Sequence, residues 1–223
     1  MNQLFRRSIA PAALALLLCC SPAFSGLTRK HKAAPPPPEP VTAHASAQLA
    51  DKKLNARVDA LLAQMTLDEK IGQLAQYTGG STITGPTGQK LDFDAMIAKG
   101  EIGSLFNVTG AKETNHYQHI AVEQSRLHIP LLFGLDVIHG HRTTFPVPLA
   151  LAASFDPDIV QQACRVAATE ARQDGINWVF SPMVDISRDA RWGRIVESAG
   201  EDPYLGSAIA RAYIRGYQQG DLS

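Results

Sequence analysis

The sequence predicts an α/β fold built on a parallel sheet, and three observations carry that prediction. Apolar, strand-like runs alternate with stretches of helical periodicity from Asp51 onward. The joints between them are short, as in successive βα units. One run, residues 131–137, is apolar almost throughout, which is the pattern of a strand covered on both faces by helices.

The elements follow in order. Leu54, Val58, Leu61, Leu62 and Met65 recur at helical spacing, and Thr66-Leu67-Asp68-Glu69 has the form of a capping box opening a second helix. Gly79-Gly80 and Gly85-Pro86 punctuate a loop. Residues 93–99 read as a short helix, 102–108 as a strand, 114–127 as a helix ended by Pro130, and 131–137 as the buried strand. Asp156 with Pro157 at the first helical position opens the best-signalled helix, running through Ile159, Ala163, Val166, Ala167 and Ala171 to a stop near Gly175. Trp178, Val179 and Phe180 form the next strand, followed by a long polar loop over 181–201. Asp202-Pro203 then opens a last helix through Leu205, Ile209, Tyr213 and Ile214.

The chain has 223 residues, and the part before Asp51 reads as export and tether rather than fold. Arg6 and Arg7, an apolar stretch over 9–20 and Ala23-Phe24-Ser25 make a secretory signal over residues 1–25, cleaved before Gly26. The apolar stretch is shorter than the about 20 residues a bilayer needs, so no stable membrane insertion is expected after cleavage. An uncleaved anchor, or a lipoprotein site at Cys19 or Cys20, is the weaker reading, since Leu18 stands where a small residue would be needed. Residues 26–50 contain Pro35-Pro36-Pro37-Pro38-Glu39-Pro40 and form a proline-rich linker. The folded part is expected over 51–223. Of Cys19, Cys20 and Cys164 only the last survives cleavage, so an internal disulfide is excluded and stability must come from burial. Lys plus Arg and Asp plus Glu are both 21, leaving no net field to attract nucleic acid.

Chemistry is expected in the loops that follow strands, because the carboxyl ends of parallel strands build active sites in barrels. The first such loop is Gly134-Leu135-Asp136-Val137-Ile138-His139-Gly140-His141-Arg142. Asp136 there must be hydrogen-bonded or face a polar ligand, or it pairs with Arg142 and merely holds the loop. The second is Ser187-Arg188-Asp189-Ala190-Arg191-Trp192-Gly193-Arg194, with Glu197, Glu201 and Asp202 close behind. Three arginines around one tryptophan suit a sugar, whose hydroxyls accept from guanidinium groups while the ring packs on indole; they also suit plain salt bridges. Composition leaves both open.

The stretches LLAQMTLDEKIGQLAQ, IGSLFNVTG, IPLLFGLDVIHGHRTTFP and SPMVDISRDARWGRIVESAGEDPYL, in that order, resemble the N-terminal domain of family 3 glycoside hydrolases, in particular the bacterial periplasmic β-glucosidase branch. The resemblance runs from about Leu61 to the C-terminus. It implies a (β/α)8 TIM-type barrel, of which this chain carries roughly the first half. It implies retaining hydrolysis of terminal β-linked glucose or a related sugar, without a cofactor, in the periplasm or outside the cell. The family's sugar-binding Asp maps onto Asp136, an Arg onto Arg142, and the Arg of a Gly-Arg pair onto Arg194. Arg188, Arg191 and Trp192 are expected to organise the loop, Arg188 by pairing with Glu197. His139 fits the family pattern without a catalytic role, and His141 has none assigned.

The resemblance also implies an absence. Retaining hydrolysis needs a carboxylate nucleophile and an acid/base about 5 Å apart. The family's nucleophile lies in a Ser-Asp-Trp-like motif on a later strand, beyond a Lys-His pair, and its acid/base comes from a second domain. The chain is therefore expected to be truncated, with no catalytic residue of its own; Asp136, Asp185, Glu197 and Glu201 are not cast as the pair. Two alternatives stand beside this. One is a non-catalytic sugar-binding or vestigial half-domain. The other is a metal-dependent barrel hydrolase using His139 and His141, which lacks further histidine ligands downstream.

Overall fold

A computed structural model describes residues 51–79 and 91–218. The expected signal and linker, and the Gly85-Pro86 turn, lie outside the described residues.

Four parallel strands, β1 (Gln76–Thr78), β2 (Ser104–Phe106), β3 (Leu132–Leu135) and β4 (Trp178–Val179), lie side by side in chain order. A doubly wound sheet reverses its order at a switch point; here each new strand is added on the same side, the winding of a barrel. Helix α3 (Phe93–Ala98) connects β1 to β2, and α4 (Ala111–His119) connects β2 to β3. Two helices, α5 (Pro148–Ala152) and α6 (Pro157–Gln173), connect β3 to β4, and α7 (Pro203–Gln218) follows β4.

Ahead of the sheet, α1 (Lys52–Gln64) is capped by Asp51, and α2 (Leu67–Leu74) opens with the expected capping box. Glu69 N–H donates to Thr66 Oγ1 at 3.2 Å and Thr66 N–H to Glu69 Oε2 at 2.8 Å. Arg126 also donates to both oxygens of Glu69, which ties α2 to the turn before β3. These donors favour the charged carboxylate and bring the Glu69 pKa down to about 2, the Arg126 hydrogen bond contributing most.

The core lies between the sheet and its helices. Leu105 and Phe133, aligned in register, are fully buried, as are Ile102, Val108 and Val137 just outside the strands. Helices α6 and α7 pack on one another, Ala163, Cys164 and Ala167 lying beside Tyr213 and Tyr217, and Gly216 against Cys164. Burial raises the Cys164 thiol to about 12, so it packs as an apolar group.

Several expectations need correction. The strand at 131–137 is fully covered on the face of Phe133 and only partly on the other among the described residues: Gly134 is buried beneath Phe180, while Leu132 on the same face is 49% exposed. Ile159 and Val166 on α6 and Ile214 on α7, apolar residues of the helical patterns, face outward, and on α6 the buried stripe passes through Val160 and Cys164 instead. The helix expected over 114–127 starts at Ala111 and gives way to a π-helical turn, Ile120–Gln124, where Ser125 N–H bonds Ile120 carbonyl. Strand β1 and helix α5 have no counterpart among the expected elements. Gln-Tyr-Thr is too short and polar to announce a strand, and Pro148–Ala152 is barely more than one turn.

Candidate active-site cleft

The site starts at the end of β3. Alternation along the strand puts Asp136 on the same sheet face as Gly134 and exposed Leu132, away from the helix-covered face of Phe133. The backbone just beyond is fixed from three sides. Val137 carbonyl accepts from Ser181 Oγ at 3.0 Å and from Tyr217 Oη, and Ile138 carbonyl accepts from Tyr213 Oη at 3.5 Å. Phe180 N–H donates to Leu135 carbonyl at 3.3 Å, carrying the ladder one residue past β4.

Beyond β4, a cis Ser181–Pro182 peptide turns the chain into the long loop. Its two ends are tied by Ser187 N–H to Gly200 carbonyl, 3.0 Å, and by the Ser187 and Ser198 hydroxyls, 2.5 Å apart. A 3-10 turn over Ala190–Trp192 is capped by Asp189, which also pairs with Arg191 at the surface. The turn ends at Gly193 with φ +88°, a left-handed conformation that favours glycine. A second turn, Ile195–Glu197, follows at once and brings Glu197 back to Arg194. Arg194 Nε donates to Glu197 Oε1 at 3.0 Å and Nη2 to Oε2 at 2.7 Å.

These two strand ends enclose a cleft of about 490 Å³. Asp136, Phe180, Asp185, Arg194 and Glu197 line it together with the Ser181–Val184 segment. Three carboxylates and one guanidinium share the space. Arg194 is held charged, its pKa raised first by the hydrogen bond and charge of Glu197, then by the charges of Asp185 and Asp136. Glu197 is correspondingly lowered by Arg194. Phe180 packs against Trp178 in a tilted contact and against Phe106 edge to face, at ring separations of 4.7 and 5.4 Å, and gives the cleft an apolar wall. The arrangement can accept from hydroxyl groups at Asp136, donate to them from Arg194, and pack a ring against Phe180.

Of the three residues singled out in the sequence, Asp136 and Arg194 meet here and Arg142 does not. Arg142 Nη2 donates to Asp174 Oδ1 at 2.7 Å, and the same carboxylate takes His141 Nε2 at 2.5 Å. Glu170 accepts the backbone N–H groups of Arg142 and Thr143 and the Thr143 hydroxyl. The 141–143 segment is thus clamped onto the last turn of α6. An Asp136–Arg142 pair is replaced by Asp174–Arg142, and Arg188 yields Glu197 to Arg194. Asp174 is an organiser with no signal in the sequence, and Glu197, expected beside Arg188, organises Arg194 instead. Glu197 sits at i+3 from Arg194 inside one turn, a spacing that is legible once a turn is expected there.

The paired imidazoles diverge. His139 Nδ1 contacts Phe145 carbonyl at 2.9 Å, while His141 is turned to Asp174. Among the described residues no three of His, Cys, Asp and Glu gather as metal ligands. No described helix is long and apolar enough to cross a membrane.

The model of the glycosyl hydrolase family 3 N terminal domain matches residues 66–223. A periplasmic beta-glucosidase of Salmonella typhimurium is 44% identical over 164 residues, covering 74% of this chain and 21% of the relative. A putative beta-xylosidase of Formosa agariphila is 34% identical over 179 residues, covering 74% of this chain and 24% of the relative. The crystal structure of a Listeria innocua beta-glucosidase in complex with glucose superposes with a TM-score of 0.65 at 43% identity, over 73% of this chain and 24% of that one. The chain therefore spans about a quarter or less of the length of these proteins.

Proposed function

The chain belongs to glycosyl hydrolase family 3, as its N-terminal domain, and on that premise we propose that its cleft holds the terminal sugar of a β-glucoside in a retaining β-glucosidase. The observation that carries the reading is the meeting of Asp136 and Arg194 in one cleft at the carboxyl ends of β3 and β4. Asp136 accepts from two sugar hydroxyls, and Arg194 donates to a third through the edge of its fork not taken by Glu197. Charge-assisted bonds of this kind contribute about 1.5–3 kcal/mol each. Arg142 serves the site indirectly by fixing the loop after Asp136. The complex of the Listeria enzyme with glucose supports the choice of sugar; the xylosidase relative makes xylose the competitor to test.

The finer proposal is that this chain binds sugar but does not cleave it. No Ser-Asp-Trp stretch occurs in the sequence, and no carboxylate of the cleft is assigned as nucleophile or acid/base. Four strands in barrel order are read as the first half of an eight-stranded barrel. Export is read from residues 1–25, with the periplasmic Salmonella relative in support.

The test is ligand-observed NMR of the 223-residue chain with D-glucose and D-xylose, beside an aryl β-glucoside assay. Glucose binding that Asp136→Ala removes, with no turnover, is the expected result. Binding untouched by Asp136→Ala rejects the assignment of the site, and turnover by the chain rejects the view that it lacks catalytic groups.

A further inference from the structure

We infer that Glu197 is the positioning residue of the sugar site, holding Arg194 in the orientation that leaves Asp136 free to bind; the inference rests on the sugar-binding reading above. Arg194 faces three carboxylates in one cleft: Asp136, Asp185 and Glu197. A guanidinium on a flexible stem pairs with whichever carboxylate offers the best geometry, and pairing with Asp136 would consume both binding groups at once. The fold prevents this locally. Gly193 ends one turn, and the next places Glu197 N–H 3.1 Å from Arg194 carbonyl, so that the two side chains leave one short loop on the same side. Ser198, fully buried, anchors the far end of that turn through its hydroxyl to Ser187 and Ile195.

The donor count completes the argument. A guanidinium has five N–H donors in a planar fork. Glu197 takes Nε–H and one N–H of Nη2, leaving the other edge for a ligand. The Glu197 side chain is 24% exposed and that of Arg194 60%, so the anchor is sheltered and the donor open. Glu197 touches no substrate in this scheme and acts only through Arg194.

A double-mutant cycle on the full chain, read as D-glucose affinity by NMR titration, separates this role from simple loop stability. Glu197→Gln keeps the shape but loses charge and one acceptor, and glucose affinity should fall by about tenfold with the thermal melt unchanged. In an Arg194→Ala background the same change should cost less than about twofold, because residues acting through one another are non-additive. If Glu197→Gln does not fold, Glu197→Asp carries the same cycle, with a several-fold loss that again vanishes beside Arg194→Ala. Full affinity in the folded Glu197 variant, or equal losses in both backgrounds, overturns the inference while leaving the sugar site standing. Failure of the unmutated chain to bind glucose overturns both.

Discussion

Asp136 and Arg194 differ in what a conservative change removes. Asp136→Asn keeps the shape but gives up the charge in its hydrogen bonds, and Arg194→Lys replaces a planar fork by a point charge that cannot share itself between Glu197 and a ligand. In an enzyme containing this domain together with its catalytic groups, each should lower kcat/KM by at least about tenfold, one decade being about 1.4 kcal/mol. Steady-state kinetics on a β-glucoside, with circular dichroism to verify folding, measure this; wild-type values in both would make the residues scaffold. Glu69 yields a pH expectation. Its folded pKa is about 2 against an ordinary 4.5, so the unfolded chain binds the proton first as pH falls. The stability it contributes is complete above about pH 4.5, declines as the pH drops toward 2 and is gone below that. Arg126→Ala removes the main cause of the shift, so acid melts should show a smaller loss between pH 5 and 2 in that variant than in the wild type.

At the level of elements, the α6–α7 contact depends on the absence of side chains. A Cβ on Gly216 would lie 2.6 Å from Cys164 Cβ and from Gln161 carbonyl oxygen. Overpacking of this kind costs about 1–3 kcal/mol, against a gain of about 0.5–1 from replacing glycine within a helix. Gly206, on the same helix, would present its Cβ only to the end of the Ile186 side chain, at 3.3 Å. Gly216→Ala should therefore lower the melting temperature and Gly206→Ala should leave it level or raise it, which differential scanning calorimetry can compare directly. Because Tyr213 and Tyr217 reach from α7 to the carbonyls after Asp136, a strained α7 should weaken glucose binding as well. The clamp from α6 acts on the same strand exit. Asp174→Ala frees Arg142 and His141 together, and sugar affinity should fall even though none of these residues lines the cleft.

Across the described residues, apolar surface remains open on the sheet face that carries the site. Leu132, Trp178 and Phe180 are 49%, 40% and 40% exposed, and β4 has no described strand on its outer side. Leu54, Val58 and Leu62 on α1, with Leu67, Ile71 and Leu74 on α2, are exposed as well. Patches of this kind bind dyes and other chains, and an open strand edge adds backbone groups to the invitation. With the signal removed, the remaining chain should enhance the fluorescence of a hydrophobic dye and self-associate in sedimentation experiments. A monomer with a sharp melt and no dye binding would be the contrary result.

The amino-acid sequence by itself determined the parallel α/β class, most helix starts and the two loops that carry the site, because these depend on local signals: Asp156-Pro157, the Thr66–Glu69 box, apolar runs ended by polar residues. Asp136, Arg142 and Arg194 are singled out by the resemblance of their motifs to family 3 glycoside hydrolases, and of these Asp136 and Arg194 line the cleft. The sequence could not determine partners. Arg142 is six residues from Asp136 but pairs with Asp174, and Glu69 is claimed by Arg126, because charges choose neighbours in space after α6 and the turn before β3 have docked. Nor could it decide which face of the 131–137 run is covered. An apolar strand reads the same whether one side or both is packed, and only the neighbouring elements settle which side meets water.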